Sequence, residues 1–158
     1  MKVSEKSLEL NVGAELLDVL RHRCAMPKAY LRGLTQREEH QEGVDFLAEL
    51  SSSTRIFAFQ FKAPKGQWGD KTPYRFTIQR HQHEKLSALS TKCPSGVFYV
   101  LPFYVCPAKL RHDVPQLLRD TWFPPSLQWR ERTSSALTRP RPCTVNVARR
   151  RSTRTTNC

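Results

Sequence analysis

The stretch that decides the fold runs Gly43-Val44-Asp45-Phe46-Leu47-Ala48-Glu49-Leu50, then Ser51-Ser52-Ser53-Thr54, then Arg55-Ile56-Phe57-Ala58-Phe59-Gln60-Phe61-Lys62. Both apolar segments alternate with period two: Val44, Phe46, Ala48 and Leu50 oppose Asp45, Leu47 and Glu49, and Phe57, Phe59 and Phe61 oppose Ala58, Gln60 and Lys62. Successive side chains of a strand point to opposite faces, so the pattern predicts two strands joined by a tight polar connection. Gln60 and Lys62 then share a face. A strand bearing three phenylalanines belongs in the interior, where an unpaired ammonium costs roughly several kcal/mol. Lys62 therefore needs an anion or an open cleft, and Asp45 on the preceding strand is the candidate partner.

Outward from this pair, Ser4 to Arg23 carries Leu8, Val12, Leu16, Val19 and Leu20 on one stripe, with Leu10, Ala14 and Leu17 beside it. That spacing predicts an amphipathic helix with a wide buried face, capped by Ser4. Lys28 to Leu34 fits a first strand, and the polar run Thr35 to Glu42 is either a connection or an extended hairpin arm. Ala63 to Pro73, with Pro64, Gly66, Gly69 and Pro73, predicts a loop. Tyr74 to Ile78 reads as a strand and Arg80 to Lys92 as a helix with Leu86 and Leu89 inward. Gly96 to Val105 is nearly all apolar, as for a strand covered on both faces, with Pro102 marking a bulge or an end. Pro107 to Trp122 predicts a second covering helix, its start delayed if Pro115 intervenes. The sum is a mixed α/β domain.

The 158 residues suit one domain, which the composition ends near Ser126. Residues 127–158 turn to Arg, Ser, Thr and Pro, and are expected to form a disordered tail. Net charge is +12, from 26 basic and 14 acidic residues, which favours polyanionic partners. Eight Arg against one Glu from Trp129 onward place +7 of it in the tail, so the body is an ordinary surface. The tail arginines, among them Arg139, Arg141, Arg149, Arg150, Arg151 and Arg154, are candidates for sequence-independent phosphate contacts or a solubilising end.

The five cysteines show no C-x-x-C pair, which excludes a zinc finger or ribbon. With their odd number, no cleavable apolar leader and no apolar run near a membrane-spanning length, the expected setting is a reducing one: a soluble, cytoplasmic protein without a membrane partner. No Ser-His-Asp arrangement or phosphate-cradling glycine loop is readable. His81 and His83 are placed to diverge at a helix start rather than to form a metal pair. Asp45, a backbone carbonyl and the Gln60 side-chain oxygen are, by contrast, hard oxygen ligands for a divalent cation, beside which Lys62 would meet the charge of a phosphate under attack.

At these residues the chain resembles the restriction-endonuclease-like PD-(D/E)xK nuclease superfamily, in the branch whose motifs read G-x-D and Q-x-K. The matching residues are Gly43-Val44-Asp45 and Gln60-Phe61-Lys62, preceded by an acidic helix from Leu8-Glu9 to Leu16-Leu17. The resemblance covers roughly residues 4 to 122. It implies a restriction-endonuclease-like core, a central mixed sheet of four to five strands flanked by helices, and a Mg²⁺- or Mn²⁺-dependent nuclease acting on DNA. Carried over, it makes Asp45 the main metal ligand, Gln60 a ligand through its carbonyl, Lys62 the catalytic cation and Glu9 a further ligand, with Glu5 and Glu15 as alternatives. Gln60 supplies no charge where other members have a Glu, and some members have lost activity. The rival expectations are an inactive nuclease-fold module that binds nucleic acid or a protein, a subunit contacting another protein of a defence or mobile-element system, and a site in which Asp45 and Lys62 merely fix the strand pairing. Lys65, Lys71, Arg75 and Arg80, interleaved with Trp68 and Tyr74, are the expected nucleic-acid contacts of the body. A homodimer is equally compatible with the sequence.

Overall fold

The computed structural model describes residues 2–50, 56–65, 74–93 and 95–126, together with the backbone of 143–147. Helix α1 (Glu5–His22) starts on Ser4, whose side chain accepts from the Ser7 backbone N–H. Strand β1 (Tyr30–Gly33) follows, then α2 (Gln36–Glu42), β2 (Phe46–Glu49), β3 (Ile56–Phe61), β4 (Tyr74–Ile78) and α3 (Arg80–Lys92). Strand β5 (Val97–Pro102), α4 (Pro107–Asp113), a 3₁₀ turn (Leu117–Asp120), β6 (Thr121–Trp122) and β7 (Cys143–Val147) complete the order.

Five strands form one mixed sheet in the order β1-β2-β3-β5-β6. The first three make an antiparallel meander, β5 lies parallel to β3 with Gln60 opposite Tyr99, and β6 closes the far edge antiparallel to β5. The architecture is α/β, as the alternation of elements predicts. The alternation along β3 divides the interior: Phe59 and Phe61 join Leu8 and Val12 of α1, Ala48 and Val100 in one core cluster. Ala58 joins Val44, Val97, Tyr99 and Leu101 in the other, under Phe76, Ile78 and Leu86 from β4 and α3. With both faces covered, β5 reads as the continuous apolar run it is, and it ends at Pro102 as expected.

Several elements differ from their sequence reading. Thr35 to Glu42 is neither a connection nor a hairpin arm: it forms helix α2, started by a capping box in which Thr35 accepts from the Glu38 N–H and Glu38 accepts from the Thr35 N–H. Leu10 is 61% exposed, so the buried face of α1 is narrower than its apolar content implied. The helix after Pro107 stops at Asp113, because Val114 is held extended before Pro115 and proline disfavours the helical region in its predecessor. The chain then re-forms as the 3₁₀ turn. Cys143–Val147 pairs antiparallel with β4, a strand that the composition beyond Ser126 gave no reason to expect. The rest of residues 127–158, and the Ser51-to-Thr54 connection, lie outside the described residues. Among the described residues, no helix is long and apolar enough to cross a membrane.

Candidate active site

Helix α2 ends on Gly43, whose φ of 76° is left-handed, and a Cβ there would stand 3.1 Å from the Lys85 Cβ and 3.3 Å from the Gln82 carbonyl oxygen of α3. Glycine is thus required twice, for the helix stop and for the close approach of α3. The sharp turn delivers Asp45 immediately before β2 begins. Opposite Phe61 the β2 ladder has ended, and the Asp45 side chain substitutes for it: Oδ2 accepts the Phe61 backbone N–H at 2.6 Å.

The same Oδ2 accepts from Gln60 Nε2 at 2.7 Å, and that nitrogen also donates to the Phe61 carbonyl oxygen at 3.1 Å. Gln60 is 1% exposed, and its Oε1 accepts from Gln82 Nε2 of α3 at 2.7 Å. Asp45, Gln60 and Gln82 therefore form one hydrogen-bonded chain linking β2, β3 and α3. Asp45 forms no ion pair among the described residues. Burial pushes its carboxyl up to about 7, against the pull of the Phe61 N–H and of Lys62; Glu9 and Glu5 push it further up.

Lys62 does not take Asp45 as its partner, contrary to the pairing expected from sequence. Its Nζ lies 3.7 Å from Glu5 Oε1, and Glu5 Oε2 accepts the Ala63 backbone N–H at 2.8 Å. The first turn of α1 is thereby fastened to the end of β3. Glu9, the helix carboxylate favoured by the motif, is buried and paired with Lys6 at 2.6 Å, and it raises Lys6 as well as Asp45. Glu15 is committed elsewhere, accepting the Leu117 and Leu118 N–H groups of the 3₁₀ turn at 2.6 and 3.4 Å.

These groups open onto a cleft of about 300 Å³. Glu5, Asp45, Gln60 and Lys62 line its sheet side, Gln79, His81, Gln82 and Lys85 its α3 wall, and Gln36, Glu39, His40 and Gly43 its α2 wall. Asp45, Gln60 and Lys62 all line this cleft, together with Glu5 and not Glu9. His81 lines the cleft while His83 turns to the Tyr99 hydroxyl at 3.0 Å, so the two histidines diverge. No cluster of three or more His, Cys, Asp or Glu suited to a metal occurs among the described residues. The Gln60 amide presents its nitrogen to Asp45 and to the Phe61 carbonyl, and its oxygen to Gln82.

Of the basic residues proposed to contact nucleic acid, Lys65, Arg75 and Arg80 do not line the cleft. Lys65 and Arg75 are exposed and bridge the end of β3 to β4, Arg80 pairs with Glu84 at 3.0 Å, and Lys71 and Trp68 lie outside the described residues. Gln82 was missed as a site residue. The signal for it was its place four residues before Leu86 on α3, a polar group on the inward stripe. No protein-family model, curated protein or solved structure matches the chain.

Proposed function

We propose that the protein is a metal-dependent nuclease that hydrolyses phosphodiester bonds in DNA at the cleft between α1, β3 and α3, on a restriction-endonuclease-like core. The observation that carries this reading is Asp45: a buried carboxylate without an ion-pair partner among the described residues, held beside the Gln60 amide and lining an open cleft together with Glu5. A carboxylate fixed only for strand pairing would be expected to keep a cation or lie dry. The meander of β1, β2 and β3 followed by parallel β5, with α1 and α3 on opposite faces, is the element order expected of that core.

The donors suit a hard cation such as Mg²⁺ or Mn²⁺. Asp45, Glu5, the Phe61 carbonyl and the Gln60 side-chain oxygen would hold it, and it would supply Lewis-acid stabilisation to the phosphate under attack. Glu9, buried behind Lys6, would act on Asp45 through its charge rather than as a ligand. Lys62, steadied by Glu5, faces the cleft and donates to the attacking water or to a phosphate oxygen, offsetting charge that grows in the transition state. His40, His81 and Lys85 on the cleft walls supply donors to phosphates flanking the scissile bond.

The test is cleavage of single- and double-stranded DNA in Mg²⁺ or Mn²⁺ by the wild type, Asp45→Ala and Lys62→Ala. Cleavage by the wild type alone supports the reading; equal residual cleavage by all three assigns it to a contaminant. A second reading, a nucleic-acid-binding module that has lost its metal, is favoured by one detail: the Gln60 oxygen is occupied by Gln82, so the polar chain is closed on itself. It predicts salt-dependent DNA binding that needs no cation and is insensitive to Asp45→Ala.

A further inference from the structure

We propose that Gln82 is a positioning residue that determines which end of the Gln60 amide faces Asp45, and hence whether the site can take a cation; the inference rests on reading Asp45 and Gln60 as ligands. One end of the Gln60 amide touches both the Asp45 Oδ2 and the Phe61 carbonyl oxygen, at 2.7 and 3.1 Å. Asp45 Oδ2 already accepts the Phe61 N–H, and a carbonyl can only accept, so that end must be the NH₂. The other end, Oε1, accepts from Gln82 Nε2. Hydrogen-bond direction thus runs from Gln82 through Gln60 to Asp45.

In this direction Gln60 offers no lone pair beside Asp45. Turning the amide over exchanges nitrogen for oxygen there, bringing three oxygens together, an arrangement that is repulsive unless a cation neutralises it. The displaced NH₂ then faces Gln82, which must present its own oxygen in turn. Gln60 is 1% exposed, so water does not readily take over from a lost partner. Glutamine is the residue type that can satisfy both directions: a carboxylate at position 82 only accepts and an ammonium only donates. Gln82 is half-buried and lines the cleft, where it can turn without unpacking the core.

The experiment measures Mn²⁺ affinity of the full chain by calorimetry in a double-mutant cycle: wild type, Gln82→Glu, Gln60→Met and the double variant. The acceptor-only glutamate holds the Gln60 NH₂ toward itself and should tighten Mn²⁺ binding about tenfold, a gain that falls below about threefold when Gln60 is Met. A gain that persists in the Gln60→Met background, or is matched by Gln36→Glu on the opposite cleft wall, reflects added charge alone and overturns the proposal. If Gln82→Glu does not fold, the donor-only Gln82→Lys serves in the same cycle, with an expected loss of about tenfold that falls below about threefold with Gln60→Met; a loss that persists there reflects charge alone and overturns the proposal. Proton NMR of the Gln60 side-chain amide without metal separates the two levels. Proximity of its NH₂ to residue 82 in Gln82→Glu supports the positioning role, and proximity to Phe61 in both proteins overturns it. Reversal of the amide with no Mn²⁺ binding by any variant upholds Gln82's control of Gln60 and overturns the cation-site reading.

Discussion

The ammonium of Lys62 stands 3.7 Å from the carboxylate of Glu5, joining the residue that follows β3 to the first turn of α1. The Lys62 side chain is 11% exposed and that of Glu5 41%, so the pair is wet on one side and adds little to stability. Lys62→Met should lower the melting free energy by roughly 1 kcal/mol or less. If the proposed nuclease reading holds, its effect on Mg²⁺-dependent DNA hydrolysis should be far larger, about a hundredfold or more, because that mechanism places the charge where the transition state forms. Denaturant melts beside initial cleavage rates measure the two; a parallel loss of both would make Lys62 structural.

Burial holds the Asp45 carboxyl at about 7, well above an unfolded aspartate. The folded chain therefore binds the proton more tightly than the unfolded one, and stability contributed by this group falls as pH rises from about 4 to 7. In EDTA, Asp45→Asn should melt higher than the wild type at pH 8, by on the order of a few kcal/mol, with the gap closing toward pH 5. Added Mn²⁺ should reverse the order at pH 8 by stabilising the wild type only. Melting curves at the two pH values, with and without Mn²⁺, check both statements.

Glu5 lines the cleft and Glu9 does not. Glu5→Gln should accordingly weaken Mn²⁺ binding more than Glu9→Gln, by about tenfold in a calorimetric titration, although Glu9 is the deeper of the two. Equal losses would return Glu9 to the coordination sphere.

Glu15 serves the fold alone, capping the 3₁₀ turn through Leu117 and Leu118. Glu15→Ala leaves those N–H groups without their acceptor and should destabilise the chain by roughly 1–3 kcal/mol. Mn²⁺ affinity should be unchanged; a loss there would connect the turn to the cleft.

What could be read from sequence follows from where the information lies. Period two in Phe57 to Phe61 is local, and it placed Ala58 and Gln60 on the face opposite the phenylalanines, where they are found. Helix α3, Arg80–Lys92, is legible from Leu86 and Leu89 at helical spacing on its inward face. Helix α2 carries no buried residue and so has no apolar stripe to read; only its Thr35 and Glu38 capping box marks it. Strand β7 owes its pairing to β4, far away in the chain, and its surroundings are rich in Arg, Ser, Thr and Pro. Choosing among Glu5, Glu9 and Glu15 needs the angle at which α1 crosses β3, a tertiary quantity that a motif cannot encode. The same holds for Lys62, whose partner came from α1 and not from the adjacent strand.

The most direct measurement is an anomalous difference map from a crystal of the protein soaked in Mn²⁺. A single strong peak is expected in the cleft, within coordination reach of the Asp45 carboxylate, the Gln60 side-chain oxygen and the Phe61 carbonyl, with the Gln60 amide turned over. A cleft without manganese, in which Gln60 still donates to Asp45, would contradict the cation-site reading.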